Sequence, residues 1–410
     1  MNSVLKSFPI LFPNQKIDKS KWSVVSCDQF SSQRDYWQKT DEYVGGAPST
    51  LRLILPEAYL EDADCGDRIS RINQTMLGYL EEGVFSELTD SFVLVERDTK
   101  YGKKRLGIVA SVDLEQFSYC GDHGELAIRS TEGVVEERIP PRLKIRCDAP
   151  FELPHILLLI DDREKTVIEG FYKKRGTLKK LYDFDLNMDG GHVAGYAIDA
   201  DEAIRAFERL CDPKKQIEKY GKTTNFVFAV GDGNHSLATA KAHWEKIKKG
   251  LSEQERQNHP ARYALCEIEN LHCDGIVFEP IHRCVFGAGE DLITYLKQSL
   301  SGDAEVEIVY NKISTRANIP SSTAQAISDI EKAVASYVKA HAGTYVDYIH
   351  GDEYLLAVAD AANAVAIKMP KINKEDLFPY VLNRGPLCKK AFSMGEAEEK
   401  RYYLEAKRIK

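Results

Sequence analysis

The sequence predicts an α/β fold of the mixed α+β type, divided into several lobes. Its 410 residues are more than a single domain usually holds. Short apolar segments typical of buried strands, such as Phe226–Val230, alternate with segments of helical apolar spacing, such as Arg68–Glu82. We therefore expect three lobes, covering residues 1–150, 151–287 and 288–410. These lobes could still form one compact unit, because no Pro/Gly/Ser-rich linker separates them.

The N-terminal lobe is predicted to combine short strands with helices. Ser49–Leu55 alternates polar and apolar residues in the manner of a strand. Ser91–Glu96 and Leu106–Val112 are apolar segments on either side of Gly102, which predicts a hairpin. We therefore expect mixed strands and helices in this lobe.

The middle lobe has the clearest local signals. Asp199 and Glu202 have the spacing of a capping box, which predicts the start of a helix. Phe226–Val230 predicts a buried strand, and Leu237–Lys248 predicts a second helix. A strand, a tight turn and a helix therefore follow one another without a linker.

The C-terminal lobe repeats this mixture of elements. Thr323–Ala340 predicts a long helix. Tyr345–Ile349 and Tyr354–Val358 flank Gly351 and predict a hairpin. The segment Lys389–Tyr403 is dense in charged and aromatic residues, so we expect it to dock on the rest of the chain and not to be disordered.

The composition argues against several classes of function. The 63 acidic residues outnumber the 55 Lys and Arg residues, giving a net charge of −8, which is unlike a dedicated nucleic-acid binder. The chain contains no apolar run long enough for a membrane helix, and Met1–Gln15 lacks the pattern of a secretory signal. Nine cysteines without a C-x-x-C pair indicate reduced thiols. We therefore expect a cytoplasmic protein with no nucleic-acid or membrane partner.

The strongest chemical signal is the turn Gly231–Ser236. Gly231 and Gly233 have no Cβ, so the backbone can approach a ligand closely. The helix that follows presents backbone N–H groups and the positive end of its dipole, which favour phosphate. Asp232 and His235 add a carboxylate and an imidazole, suited to metal binding, general-base catalysis or phosphate contacts. The alternative is an ordinary strand–helix turn in which Asp232 only caps the helix.

Two further groups of residues offer polar side chains. A strand end presents His282 and Arg283, which could belong to a site or to a salt-bridged strand terminus. Arg129, Glu132 and Arg142 lie in a segment rich in arginine and proline, which could form an anion clamp or a solvated loop edge. The residue types alone leave both pairs of alternatives open.

The order of these motifs resembles the bacterial subgroup of the family called domain of unknown function 1015 (DUF1015). That family carries a motif close to D-G-H-H-R and then one close to L-P-T-H-R; the matching segments here are Asp232–Ser236 and Pro280–Arg283. The resemblance extends from Thr131–Gly133 to Ser393–Gly395. It implies a fold but no established activity for the chain.

The Asp-Gly-x-His turn is also similar to the signature of the ParB/sulfiredoxin-like superfamily, which includes free-serine kinases that use ADP or ATP. This resemblance implies a ParB/sulfiredoxin-like central unit within a larger multi-lobed protein of mixed sheets. It also implies a turn that binds nucleotide phosphates and takes part in phosphoryl transfer. Asp232 would contact Mg²⁺ or a hydroxyl group, Gly233 and Asn234 would supply backbone N–H groups, and His235 would contact phosphate.

One departure from the kinase pattern matters. Ser236 stands where that pattern has an arginine, so Arg283 or Arg129 has to replace the missing cation or the nucleotide role is lost. The resemblance thus predicts phosphoryl transfer from ATP or ADP, with Mg²⁺, to a small hydroxylated metabolite such as free serine. The alternative is a non-catalytic regulatory protein that binds a nucleotide or a phosphorylated metabolite.

The predicted site can be stated residue by residue. Asp232 and His235 are the predicted catalytic residues, and Asp232 is also the predicted Mg²⁺ ligand. The predicted cofactor-binding residues are Gly231, Gly233, Asn234, Ser236, Thr239, Arg129, Glu132, Arg142, His282 and Arg283.

Overall fold

Strands and helices alternate along the whole described chain. The computed structural model describes residues 3–119 and 125–410. Its strands are β1 (Leu5–Lys6), β2 (Ile10–Pro13), β3 (Phe85–Leu88), β4 (Ser91–Asp98), β5 (Lys104–Asp113), β6 (Ile128–Ser130), β7 (Phe151–Glu152), β8 (Leu157–Ile160), β9 (Lys179–Asp185), β10 (His192–Asp199), β11 (Phe228–Asp232), β12 (Tyr263–Asn270), β13 (Phe278–Phe286), β14 (Ala304–Tyr310), β15 (Ile313–Ile319), β16 (Tyr345–His350), β17 (Val365–Lys368), β18 (Phe392–Met394) and β19 (Ala406–Arg408). Its helices are α1 (Lys19–Trp22), α2 (Arg34–Val44), α3 (Cys65–Glu81), α4 (Ile139–Asp148), α5 (Ile168–Lys173), α6 (Ala200–Glu208), α7 (Pro213–Tyr220), α8 (Asn234–Ile247), α9 (Glu253–Asn258), α10 (Glu290–Ser299), α11 (Thr323–Ala340), α12 (Asp352–Ala362) and α13 (Lys374–Arg384). The predicted mixed α/β fold is confirmed.

The chain divides into two compact units. The first unit comprises Met1–Ser130, Val134–Ile276 and Glu396–Lys410. The second unit comprises Thr131–Gly133 and Val277–Gly395. The three-lobe division at residues 150 and 287 stays a prediction. No helix in the described ranges is both long enough and apolar enough to span a membrane.

A large mixed sheet forms the centre of the first unit. Its strand order is β6-β11-β8-β12-β5-β4-β10-β9, and β1 pairs with β5. The predicted hairpin of β4 and β5 is confirmed, with Val93 opposite Val109. Almost every residue of β5 is buried, as expected for a central strand that is covered on both faces. The parallel pair β6 and β11 brings Ser130 opposite Val230, near the start of the Gly231–Ser236 turn.

The C-terminal segment is part of the first unit's core. Strand β19 lies between β2 and β7 in a second sheet, whose order is β3-β2-β19-β7. Tyr402, Tyr403 and Leu404, which precede this strand, are all buried. The predicted docking of this segment is therefore confirmed for its part within the first unit.

The second unit has its own sheet and core. The strand order is β15-β14-β17-β13-β16, and β18 pairs with the beginning of β13. Helix α12 packs Leu355 and Ala359 against Cys284 and Ile349, which come from β13 and β16. The long helix α11 is confirmed over the predicted range Thr323–Ala340.

Two predicted strands are wrong. Ser49–Leu55 contains a single 3₁₀ turn, because the Ser49 hydroxyl accepts from the Leu51 N–H and the Thr50 hydroxyl donates to the Trp22 carbonyl. Tyr354–Val358 lies inside helix α12, so the predicted second strand of the hairpin does not exist. In the first segment, local hydrogen bonds outweigh a short polar–apolar alternation, and in the second, helical packing outweighs the strand propensity of a short apolar run.

Candidate functional site

A bulge and a left-handed glycine shape the turn between β11 and α8. The register of β11 against β8 shifts between Val230 and Asp232, which leaves Gly231 as the extra residue. Gly233 follows with φ of +78°, and α8 begins directly at Asn234, three residues earlier than predicted. A Cβ on Gly233 would lie 3.0 Å from the Cα of Ile156, so glycine is needed for both conformation and space.

Asp232 joins the turn to the C-terminal segment. Its Oδ1 accepts a hydrogen bond of 2.8 Å from the Gly233 N–H. Its Oδ2 lies 3.0 Å from the Nζ of Lys400. The carboxylate thus bonds to the residue before the helix and pairs with a lysine, so it does not act as a simple helix cap.

Lys400 brings a positive charge to the start of α8. Burial alone lowers the pKa of Lys400, but the charge and hydrogen bond of Asp232 outweigh this effect and the net shift is upward. The side chains of Lys400 and Asp232 are 22% and 30% exposed, so a ligand can still reach both. A protonated lysine beside helix N–H groups is an arrangement that attracts anions.

Asp28 is a second carboxylate in this group. The Ser26 N–H donates to the Lys400 carbonyl at 2.7 Å, which places the chain around Asp28 beside Lys400. The negative charge of Asp28 acts on Lys400 and also on His155. Asp28 and Asp232 therefore influence the same lysine and the same histidine.

His155 and Ser236 form a hydrogen-bonded pair at the first turn of α8. The His155 Nε2 and the Ser236 Oγ are 2.6 Å apart. Burial is the largest effect on His155 and lowers its pKa, although Asp28 and Asp232 oppose that shift. A neutral His155 can accept the hydroxyl proton of Ser236 through Nε2, which would polarise that hydroxyl.

His235 is held by the backbone of the segment before α4. Its Nε2 accepts a hydrogen bond of 3.1 Å from the Val135 N–H. An accepting Nε2 carries no proton, so the ring is neutral and its proton is on Nδ1. In this conformation Nε2 is not available as a general base.

A cavity of about 150 Å³ opens beside this group in the first unit. Ser236, Thr239 and Arg142 line it together with apolar side chains such as Met76 and Ile145. The Arg142 guanidinium pairs with Glu57, and the Thr239 hydroxyl donates to the His235 carbonyl at 2.7 Å. The paired residues Arg146 and Glu152 also line the cavity, so its wall combines apolar side chains with charged ones.

Two further predicted residues of the first unit, Asn234 and Arg129, have buried polar groups. The Oδ1 atom of Asn234 is buried and accepts no hydrogen bond from the described residues. Arg129 lies on β6 with its guanidinium 5.0 Å from the centre of the Phe226 ring, and burial lowers its pKa. Arg129 is thus a buried strand residue, and the cation next to the turn is Lys400.

The remaining three predicted residues belong to the second unit. Glu132 accepts from the Ala391 N–H at 3.2 Å. The buried His282 accepts from the Met369 N–H through Nδ1 at 3.0 Å, and its Nε2 lies 2.9 Å from Asp352. Arg283 is fully buried, with Nε 2.7 Å from Glu331 and the guanidinium 4.7 Å from the Tyr348 ring. These contacts are internal to that unit, and a role of the three residues in ligand binding stays a prediction.

The described residues contain no ready-made metal centre. Across residues 3–119 and 125–410, no three side chains of His, Cys, Asp or Glu are grouped so that they could hold a metal ion. Mg²⁺ is usually bound by one or two carboxylates together with substrate phosphates and waters. Asp232 as a Mg²⁺ ligand therefore stays a prediction.

Sequence reasoning missed three members of this group. Asp28, His155 and Lys400 are distant from the turn in the chain and meet it through strand and backbone pairing, such as Val25 with Arg401. One signal pointed towards Lys400, because the C-terminal segment that contains it is unusually rich in charged and aromatic residues.

Solved structures provide three comparisons at low sequence identity. A conserved hypothetical protein from Pyrococcus furiosus is 9% identical with a TM-score of 0.36, and the match covers 74% of this chain and 95% of that one. A free serine kinase in complex with AMP is 10% identical with a TM-score of 0.38, covering 75% and 94%. SbnI with a C-terminal truncation, from Staphylococcus aureus, is 10% identical with a TM-score of 0.37, covering 70% and 82%. No curated protein matches the chain significantly.

A protein-family comparison covers nearly the whole chain. The family described as "Protein of unknown function (DUF1015)" matches residues 11–407. This range includes the Asp232–Ser236 turn and the Pro280–Arg283 strand, the two motifs that predicted the family. The ParB/sulfiredoxin-like relation stays a prediction. The chain belongs to the DUF1015 family.

Proposed function

We propose that this protein binds the phosphates of a nucleotide at the Gly231–Ser236 turn and transfers a phosphoryl group to a small hydroxylated metabolite. The observation that carries the proposal is the pairing of Lys400 with Asp232, 3.0 Å apart, at the N-terminus of α8. A phosphate needs positive charge and N–H donors, and the acceptor hydroxyl needs a carboxylate. This arrangement supplies all three.

Phosphate binding would fall to Lys400 and the start of α8. The first N–H groups of a helix have no acceptor within the helix, so they are available to an anion. The left-handed Gly233 turns the chain so that the helix begins at once after the strand. Lys400 supplies the cation that Ser236 does not, which removes the objection raised by the missing arginine.

The carboxylates would handle the proton of the acceptor. In the transfer, the acceptor oxygen forms a bond to the terminal phosphorus, and the bond from that phosphorus to the bridging oxygen breaks. The hydroxyl proton passes to Asp232 or Asp28, and the nucleotide leaves with one phosphate fewer. Mg²⁺, when bound, neutralises charge on the phosphates. Because His235 Nε2 already accepts from Val135, we assign His235 a positioning role.

The cavity beside α8 supports a small acceptor. Its volume of about 150 Å³ suits a metabolite the size of free serine, and Ser236 lines its wall. ATP or ADP is the proposed donor.

We further propose that the protein works in the cytoplasm without a nucleic-acid partner, because its net charge is −8 and its described cysteines form no disulfide.

The test follows the phosphorus atoms directly. Purified protein is incubated with ATP or ADP, Mg²⁺ and free serine or a panel of small alcohols, and products are identified by ³¹P NMR. We expect a new phosphomonoester signal.

Three variants test the assigned roles. Asp232→Asn should lower the rate by about 100-fold or more. Lys400→Ala should lower kcat/KM by about 10- to 100-fold. Asp303→Asn, at an exposed position of the second unit, is the matched control and should leave the rate unchanged.

Two outcomes would contradict the proposal. Nucleotide binding that depends on Lys400 but gives no phosphomonoester would favour the alternative of a regulatory binder. If neither binding nor turnover is detected with any nucleotide, the turn is not a phosphate site.

A further inference from the structure

The buried face of strands β4, β5 and β12 carries an unusual pair of arginines. Arg97 and Arg105 are directly opposite each other in the β4–β5 pairing. They are 1% and 6% exposed. Burying a guanidinium is costly unless an acidic group or an anion accompanies it. The two arginines meet this requirement very differently.

Arg105 has a complete carboxylate partner. Its Nη2 lies 2.9 Å from Oε1 of Glu269, and its Nε lies 3.3 Å from Oε2 of the same carboxylate. The Nε–Nη2 edge of the guanidinium is therefore filled in the side-on, two-pronged manner typical of arginine with a carboxylate or a phosphate.

Arg97 presents the same edge without a partner. Its Nη1 donates to the Glu399 carbonyl and, at 2.9 Å, to the Tyr403 hydroxyl. Its Nε and Nη2 are buried and make no hydrogen bond to any described residue. Within the described ranges, no Asp or Glu oxygen lies within 4.0 Å of it. Neutral acceptors satisfy one nitrogen, and Glu267, whose pKa the charge of Arg97 lowers against the larger effect of burial, forms no ion pair with it among the described residues.

Two other buried polar side chains, Thr99 and Arg401, lie near Arg97 in the chain or act on it electrostatically. Thr99, two residues beyond Arg97, has a buried hydroxyl that lacks a partner among the described residues. Arg401 is also buried, and its Nη2 donates to the Ser23 carbonyl and the Asn187 side chain. Burial lowers the pKa of Arg401 to about 10, and the charge of Arg97 contributes, so the two cations feel each other. Burial and Glu269 raise the pKa of Glu267, which disfavours the charged form of that nearby carboxyl.

We propose that the Nε–Nη2 edge of Arg97, with the Thr99 hydroxyl and the Arg401 charge, binds a small oxyanion, either a carboxylate or a phosphate. The bound group takes the place at Arg97 that Glu269 takes at Arg105. This proposal uses side chains other than those of the Gly231–Ser236 turn and does not depend on the proposed phosphoryl transfer.

The first experiment measures anion-specific stabilisation. The melting temperature of the full chain is recorded against increasing inorganic phosphate or acetate, with chloride at equal ionic strength as the reference. We expect one of the two anions to raise the melting temperature in a saturable way. A response to phosphate alone identifies a tetrahedral anion, and a response to acetate identifies a carboxylate. If both match chloride, the proposal is overturned.

Variants then assign the response to Arg97. Arg97→Lys keeps a positive charge but loses the two-pronged edge, so affinity should fall about tenfold or more. Ser236→Asp puts a negative charge at the turn instead, which repels an anion there and should leave the affinity at Arg97 within about twofold. An anion response that is lost in Ser236→Asp and kept in Arg97→Lys would place the anion at the turn and overturn the proposal.

A second measurement does not depend on whether the variant folds. Crystals of the wild-type protein grown with phosphate or acetate should contain that anion across the Nε and Nη2 atoms of Arg97. A water molecule at this edge, at saturating anion concentration, would overturn the proposal.

Discussion

At the scale of single residues, Gly233 determines how closely the backbone of the turn approaches β8. Its φ of +78° lies in the left-handed region, and a Cβ there would lie 3.0 Å from the Cα of Ile156. Gly221 has a similar φ of +70°, but a Cβ on it would meet nothing within 4 Å. An alanine at Gly221 therefore measures the cost of the left-handed conformation alone, whereas an alanine at Gly233 adds the cost of a steric clash.

We predict that Gly221→Ala lowers the free energy of unfolding by about 1–2 kcal/mol, the usual cost of a left-handed alanine. Gly233→Ala should lower it by about 1–3 kcal/mol more, because the added methyl group collides with the backbone of Ile156, just before β8. Urea denaturation of both variants measures the difference. Equal losses would show that the turn has room for a side chain.

Glu405 links stability to pH. It is fully buried and accepts from the Tyr182 hydroxyl at 2.7 Å. Burial outweighs this hydrogen bond and raises the pKa of Glu405 from 4.5 to about 7. The folded state therefore holds the proton more tightly than the unfolded state. The resulting stabilisation is complete below pH 4.5 and is lost as the pH rises through 7.

We predict that Glu405→Gln removes this pH dependence. Between pH 4.5 and pH 8, the free energy of unfolding of the variant should gain on the wild type by on the order of 3 kcal/mol, given about 1.4 kcal/mol for each pKa unit. Chemical denaturation across this pH range measures the effect. Parallel curves for the two proteins would contradict it.

The residue types of the turn could be predicted, but their partners could not. The two glycines Gly231 and Gly233, which precede a predicted helix, were enough to predict that Asp232 and His235 lie in the turn. Lys400 could not be assigned, because its contact with Asp232 depends on how residues 24–26 pair with residues 400–402. The same reasoning led from Ser236 to Arg129 and Arg283 as replacement cations, whereas the structure puts Lys400 beside the turn.

At the scale of elements, the C-terminal segment Glu396–Lys410 has a structural and a chemical role. Strand β19 joins β2 to β7, with Ala406 opposite Leu11 and Lys407 opposite Glu152. The same segment supplies Lys400 to the turn. It is therefore a core element of the first unit, although it comes last in the chain.

We predict that a chain ending at Gly395 does not fold its first unit. The deletion exposes the partners of several large buried side chains, each of which contributes about 1.5–3 kcal/mol. Thermal denaturation followed by circular dichroism should show the loss of a cooperative transition. Removing only the exposed Lys410 is the control and should leave the transition in place. Cooperative unfolding of the truncated chain would contradict this role.

Long elements could be predicted from sequence, and short ones less well. Helix α11 agrees with its apolar spacing, and so does the hairpin of β4 and β5. The strand predicted over Tyr354–Val358 is wrong, because the apolar residues of this segment fit both a short strand and one face of a helix. Packing of Leu355 against the second unit's sheet decided for the helix.

At the scale of the whole molecule, the units do not follow the order of the chain. The first unit contains both ends of the sequence, and the second contains the three residues Thr131–Gly133 besides Val277–Gly395. A prediction of domains from sequence composition can only divide the chain into consecutive segments. The fold class could therefore be predicted from the sequence, but which distant segments belong to the same unit could be seen only in the structure.

The central claim is that a phosphate binds at the start of α8 beside Lys400 and Asp232. The most direct measurement is a crystal structure of the protein with ADP or a non-hydrolysable ATP analogue and Mg²⁺. We predict a phosphate oxygen within about 3 Å of the Lys400 Nζ and of backbone N–H groups of residues 234–236. A nucleotide bound elsewhere, with the Lys400–Asp232 pair untouched, would contradict the account.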